Sequence, residues 1–96
     1  MLFRSEPASD LGIAMALISS LTDKKIPDTM IAFGEIGLAG ECRGVSNIEQ
    51  RVREAARLGF KDALLPLHNA QSCPEISGIK IHAVKNIYDV LKFLKA

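Results

Sequence analysis

The sequence predicts an α+β fold, an α/β two-layer arrangement in which a mixed sheet is covered by helices. Three observations point there. Segments with helical apolar spacing alternate with short β-compatible runs, four glycines crowd between Phe33 and Val45, and a Ser-x-x-Glu sequence opens a second periodic helix. At 96 residues the chain can bury roughly 60–70% of its unfolded surface, enough for one core and one domain.

The first element is a helix over residues 8–21. Pro7 suits an early helical position, where its missing N–H costs nothing, and Ser9 and Asp10 bring acceptors and negative charge to the positive end of the helix dipole. Leu11, Ala14, Met15, Leu17, Ile18 and Leu21 cover more than one stripe, so this core helix is expected to be packed on most sides. A charged turn at Asp23-Lys24-Lys25 leads through Pro27 to a strand over residues 29–33. Gly34, Gly37, Gly40 and Gly44 then favour a hairpin or bulged connection over one long strand.

Ser46-Asn47-Ile48-Glu49 has the form of a capping box, which would engage the Glu49 carboxylate with the Ser46 N–H. In the helix that follows, Ile48, Val52, Ala55 and Ala56 form a narrow apolar face, and Gln50, Arg51, Arg53, Glu54 and Arg57 fill the rest. Gly59 stands where a left-handed C-cap residue is needed, with Arg57 in the last turn. Residues 61–65 read as a strand ended by Pro66, residues 67–78 as mostly loop, and residues 80–84 as another strand. Asn86-Ile87-Tyr88-Asp89 opens a last helix with Ile87, Val90, Leu91 and Leu94 on its apolar side.

Charge selects no partner: 12 Lys+Arg against 11 Asp+Glu leave a net +1, so any contact with nucleic acid must come from a local patch. The longest apolar stretch, residues 11–21, is interrupted by Gly12, Ser19 and Ser20 and is shorter than the roughly 20 residues that span a bilayer. No basic-then-apolar leader precedes it. The expected location is therefore the cytoplasm, with no membrane partner. Cys42 and Cys73 match neither a zinc motif nor a disulfide framework, and reduced, structural thiols are expected.

The search for chemistry is mostly negative. The glycines fit neither G-x-x-x-x-G-K-[ST] nor G-x-G-x-x-G, so they read as turn glycines. His68 and His82 have no carboxylate or thiol at ligand spacing, and no serine stands in G-x-S-x-G. Neither a catalytic residue nor a metal site is expected.

Two longer motifs are more specific. Phe33-Gly34-Glu35-Ile36-Gly37-Leu38-Ala39-Gly40-Glu41-Cys42-Arg43 and Glu49-Gln50-Arg51-Val52-Arg53-Glu54-Ala55-Ala56-Arg57-Leu58-Gly59-Phe60, with Glu6-Pro7-Ala8 before the core helix, resemble the C-terminal Lon-protease-like domain of the RadA (Sms) family of bacterial DNA repair proteins. The resemblance runs from about Glu6 to the C-terminus and is weakest over residues 67–78. It implies a fold like the second domain of ribosomal protein S5. It also implies a longer protein in which a zinc finger and a RecA-like ATPase carry zinc and ATP with magnesium, so that this chain itself needs no cofactor. That longer protein would be a DNA-dependent ATPase acting in DNA repair and recombination on single-stranded or branched DNA, and its Lon-like domain would scaffold a homo-oligomer, a hexamer.

Kinship with Lon allows a residue-level test. Lon proteases use a Ser–Lys dyad, and an ungapped alignment of the two helices puts the serine position at Ala8 and the lysine position at Glu49. A methyl group and a carboxylate cannot do that work. Ser9 is one step away, about 100° around the helix, and no lysine lies between Lys25 and Lys61 to activate it. The expected role is thus a non-catalytic scaffold and DNA-contacting domain. The alternatives are a Lon-type peptidase, disfavoured by Ala8 and Glu49, and a stand-alone interaction module from a truncated gene.

Arg43, Arg51, Arg53 and Arg57 are the candidate DNA-binding residues. Arg53 and Arg57 share a helix face, Arg51 flanks it, and Arg43 comes from the hairpin. The bland reading is a solvated face in which Glu49 pairs with Arg53 and Glu54 with Arg51 or Arg57. Met30 and Phe93 could serve as intersubunit contacts. In the Lon-like family several strands precede the core helix, whereas here only residues 1–5 precede Glu6-Pro7-Ala8. Residues 1–96 are therefore expected to be a single, partial domain, with 1–5 a disordered or remnant segment. One side of the core helix should then show exposed apolar surface, self-association or dependence on more chain.

Overall fold

The computed structural model describes residues 9–95. The expectations for residues 1–5, for Pro7 and for Ala8 lie outside them. In order, the elements are α1 (Asp10–Thr22), β1 (Met30–Ala32), β2 (Glu35–Ile36), β3 (Cys42–Arg43), α2 (Ile48–Arg57), β4 (Asp62–Pro66), α3 (Leu67–Ser72), β5 (Lys80–Val84) and α4 (Ile87–Lys95).

Strands β1, β4 and β5 form a parallel sheet in the order β1-β4-β5, with Ala32 opposite Leu64 and Leu64 opposite His82. Parallel neighbours require crossovers, which α2 and α3 supply. The expected mixed sheet is corrected here. The antiparallel strands β2 and β3 form a separate two-stranded hairpin, with Ile36 opposite Cys42. That hairpin lies over the carboxyl-terminal end of the sheet. The Cys42 N–H donates to the Lys85 carbonyl at 2.8 Å and the Ile87 N–H to the Gly40 carbonyl at 2.9 Å.

Successive side chains of a strand point to opposite faces, and β4 is buried on both. Leu64 joins Leu11, Met15, Ala32, Val84, Val90 and Leu94 under α1 and α4. Ala63 and Leu65 join Ile48, Val52, Ala55, Ile76 and Ile79 on the α2 side. The sheet is thus the middle layer between two apolar clusters.

Four local expectations need correction. Helix α1 is not packed on most sides: Leu11 and Met15 are buried, but Ile13, Leu17 and Leu21, spaced four apart along one stripe, are 40%, 59% and 86% exposed. The exposed apolar surface expected of that helix is therefore present. Met30 and Phe93 pack against the core rather than projecting outward. Residues 67–78 are not mostly loop, because Leu67–Ser72 form α3. The fourth correction concerns the capping box. Asn47, not Ser46, precedes the first helical turn of α2, in the left-handed region at φ 59°, with no side-chain cap. A reciprocal cap forms at α4 instead. Asn86 Oδ1 accepts from the Tyr88 and Asp89 amides at 2.9 and 3.2 Å, while Asp89 Oδ2 accepts the Lys85 N–H at 2.7 Å. Among the described residues no helix is long and apolar enough to cross a membrane.

The end of α2 follows expectation. Gly59 lies at φ +101°, its N–H donates to Ala56 at 3.1 Å, and the Phe60 N–H donates to Ala55 at 3.0 Å, the paired bonds of a Schellman cap. The space around Gly59 is open, so conformation alone selects glycine there. Gly12, inside α1, has no such requirement, since an added Cβ would meet only the Ala32 carbonyl at an ordinary 3.5 Å. Urea unfolding should therefore show Gly59→Ala losing about 1–2 kcal/mol and Gly12→Ala gaining about 0.5–1 kcal/mol. Equal effects in the two variants would refute the assignment of strain to the cap.

Candidate functional site

Helix α2 presents the charges the sequence singled out. Its inner side is fixed by Ile48, Val52 and Ala55, which leaves Glu49, Arg53, Glu54 and Arg57 exposed. Arg53 Nε donates to Glu49 Oε2 at 2.9 Å across one turn, and Arg57 pairs with Glu54. Glu49 is thus occupied by Arg53 rather than by the Ser46 N–H. The Glu54 carboxyl is held below its ordinary range by the hydrogen bond from Arg57.

The four arginines do not share one environment. Arg53 and Arg57 line a shallow groove with Ala56, Ile76 and Ser77. Arg51 lies along a second groove, with Ile31, Phe33 and Leu58, and donates from Nε to the Ser46 carbonyl at 3.0 Å. Arg43 belongs to the hairpin, where it is 3.0 Å from Glu41 and 3.8 Å from Glu35. The ion pairs of Arg43, Arg53 and Arg57 are solvated, and such pairs add little to stability. They leave the guanidinium groups able to exchange a carboxylate for another anion.

What aims α2 is a buried amide. Asn69 on α3 accepts the Val45 N–H on Oδ1 at 2.8 Å and donates from Nδ2 to the Val45 carbonyl at 3.0 Å. One side chain thereby satisfies both backbone groups of the residue leading toward α2, as a neighbouring strand would. Asn69 is 5% exposed and the only buried polar residue among those described. Sequence reasoning missed it, because its partner is main chain 24 residues away.

A second missed pair is Asp62 and His82, on neighbouring strands β4 and β5, with Nε2 and Oδ1 2.8 Å apart. The His82 ring packs edge-on against Phe93 at 4.9 Å between centroids. His68 is exposed. Cys42 and Cys73 are free thiols, each half-buried. Burial pushes the Cys42 thiol above its usual value, and the Asp89 and Glu41 carboxylates add to that. Burial likewise raises Cys73, with Glu49 adding to it and Arg53 opposing. A thiol in such surroundings is a poor nucleophile. Among the described residues no three His, Cys, Asp or Glu side chains stand together as metal ligands. Ser9 occupies the N-cap position of α1.

A parallel sheet between helices, with a glycine-closed hairpin across its carboxyl end and an arginine-bearing helix positioned by a buried asparagine, is an α/β domain of the Lon-like class. The chain belongs to the family described as the Lon protease (S16) C-terminal proteolytic domain, whose model matches residues 3–95. It is 47% identical over 83 residues, 86% of its length, to the DNA repair protein RadA of Synechocystis, and 43% identical over 93% of its length to that of Aquifex aeolicus. With the DNA repair protein RadA of Escherichia coli it shares 41% identity over 91% of its length. The chain spans 16%, 19% and 19% of the length of these curated relatives.

The Asn69 clamp gives a direct expectation. Asn69→Ala removes the partner of the half-buried Val45 amide and carbonyl and should lower stability by ~1–3 kcal/mol in urea unfolding. Asn69→Asp, which keeps the acceptor and loses the donor, should also destabilise. A neutral Asn69→Ala would show that the clamp does not hold α2.

Proposed function

We propose that this chain is the non-catalytic scaffold and DNA-contacting C-terminal domain of a RadA-type DNA repair and recombination ATPase. The observation that carries the reading is the 47% identity to a RadA protein; the ungapped alignment of the two helices, in which Glu49 takes the position of the Lon lysine, supports it. Glu49 is exposed and bound to Arg53, an arrangement that supports a surface role for this helix and offers no base for a serine. Ala8 at the serine position argues the same way from sequence. ATP with magnesium, and zinc, belong in this reading to other parts of the longer protein, which works in the cytoplasm as a homo-oligomer on DNA.

Arg53 and Arg57 are the centre of the DNA contact. They line one groove together with Ser77, and their carboxylate partners are solvated and replaceable by phosphate. Arg51 and Arg43 extend the contact on its flanks. Residues 1–96 are one partial domain in this view, and the uncovered stripe of Ile13, Leu17 and Leu21 is the side on which further sheet belongs.

Two measurements test the proposal. Arg53→Ala combined with Arg57→Ala should weaken DNA binding about equally across sequences and flatten the salt dependence by ~0.9 for each phosphate no longer neutralised. Unchanged affinity and slope would assign the face to its glutamates alone. Incubation with an unfolded protein such as casein should give no cleavage, and cleavage would overturn the non-catalytic reading.

A further inference from the structure

Strand β5 ends one side of the sheet, and among the described residues no strand pairs with its outer edge from Lys80 to Val84. The Lys80 N–H donates to the Lys61 carbonyl at 2.8 Å. Backbone groups along a strand alternate in direction, so Lys80, His82 and Val84 bond to β4, while the N–H and C=O of Ile81 and Ala83 point outward. Such a row of main-chain groups is a template for one more strand. Neither a proline nor a bulge blunts it, because its residues pair one for one with Asp62–Pro66.

The same edge is already paired one residue further on. The Cys42 N–H donates to the Lys85 carbonyl at 2.8 Å, and Glu41 and Asn86 form an antiparallel bridge. A strand added antiparallel to β5 therefore continues the direction of β3 and occupies the stretch the hairpin leaves open. Beside that stretch, on the α3 side, lies a groove of 870 Å³ with Ala70, Cys73, Ile76 and Ile81 on its walls. Glu75 also lines it, which favours apolar over acidic side chains there.

Charge selects the occupant. Lys80 and Lys85 stand exposed at the two ends of the edge, and neither has an ion-pair partner among the described residues. Asp62, opposite Lys80, is bonded to His82, and Asp89 accepts the main-chain N–H of Lys85. A second copy of β5, paired antiparallel with Ile81 opposite Ala83, would bring Lys80 of each copy beside Lys85 of the other at both ends. Like charges brought together across strands are destabilising. A strand with carboxylates at its ends meets the two lysines instead.

We propose that the β5 edge binds an extended segment of a partner protein as an added antiparallel strand, with acidic side chains at both ends of the segment and apolar ones opposite Ile81 and Ala83. The main-chain bonds supply affinity, and the groove and the lysines supply selectivity. This contact goes beyond the proposed function and stands apart from the arginines of α2.

Amide NMR on the full chain, titrated with the acetylated and amidated peptide EVTVE, tests it. In the antiparallel register this probe sets valines opposite Ala83 and Ile81 and glutamates opposite Val84 and Lys80. Saturable shifts centred on residues 80–85 are expected, with a dissociation constant of about 1 mM or tighter and slowed hydrogen exchange at the Ile81 and Ala83 amides. N-methylation of both valines removes two donors of the added strand and should weaken binding at least about tenfold. The peptide KVTVK should bind at least about tenfold more weakly than EVTVE. Ala83→Pro deletes an outward N–H and no bond to β4, so it should fold and lose binding at least about tenfold. The methylated peptide reads the same bonds on the unaltered protein, so the test does not hinge on that variant folding. Absence of shifts up to about 5 mM peptide, equal binding of the methylated peptide or of KVTVK, or shifts confined to α1 or α2 overturns the proposal.

Discussion

Everything in this domain is organised by strand β4. It is hydrogen-bonded on both edges, to β1 and to β5, and buried on both faces from Ala63 to Pro66. A strand so placed has no tolerance for register error, because a slip of one residue would exchange Leu64 with Ala63 or Leu65 and send each to the wrong cluster. The small side chain of Ala63 suits the α2 side, where Val52 and Ala55 bring the helix close. The bulk of Leu64 suits the other side, where it meets Leu11, Met15 and Val90. The helices are placed by what β4 offers them.

From that strand the geometry passes outward through polar contacts that are few and specific. The chain leaves β4 directly into α3, which puts Asn69 beneath the segment that enters α2. Through Val45 this asparagine links the orientation of the arginine-bearing helix to the sheet. The hairpin is anchored just as sparsely. It is joined at one end to β1 through Phe33 and Gly34, where the Leu11 N–H donates to the Gly34 carbonyl at 2.9 Å, and at the other end to the turn between β5 and α4. Asp10 adds a side-chain bond to the Ile36 amide at 3.2 Å. Helix α1, the hairpin and α4 are thereby coupled by hydrogen bonds as well as by the apolar cluster of Leu11, Met15, Val90 and Leu94, against which Ile36 and Cys42 pack.

Much of this was legible in the sequence. The strands were, because their apolar runs are bounded by Pro27, Pro66 and Gly78, and so was the α2 terminus, because only a glycine serves at φ +101°. Membership of the Lon-like class followed from two motifs that fold as the hairpin and α2. The failures have physical causes. Ser46 and Glu49 have the spacing of a capping box, but Asn47 adopts a left-handed conformation that takes Ser46 out of position. Helix α3 has six residues, too short to show a period. The Asn69–Val45 and Asp62–His82 contacts join residues 24 and 20 apart through sheet and crossover geometry, which no local pattern encodes. For the candidate site, the i, i+4 and i, i+3 ion pairs of α2 were readable because a helix dictates them. The separation of Arg43 and Arg51 from Arg53 and Arg57 was not, because it depends on tertiary placement.

Open parallel sheets usually receive small ligands in the crevice at the carboxyl ends of their strands. In this domain the hairpin fills that place: Gly34 packs against Leu11 and Pro66, and Cys42 and Gly40 are bonded to the residues beyond β5. The end of the sheet where chemistry would ordinarily be housed is thus roofed by the protein's own backbone. What such a domain leaves open to its surroundings is its outer contours: helix faces, a turn tip and strand edges.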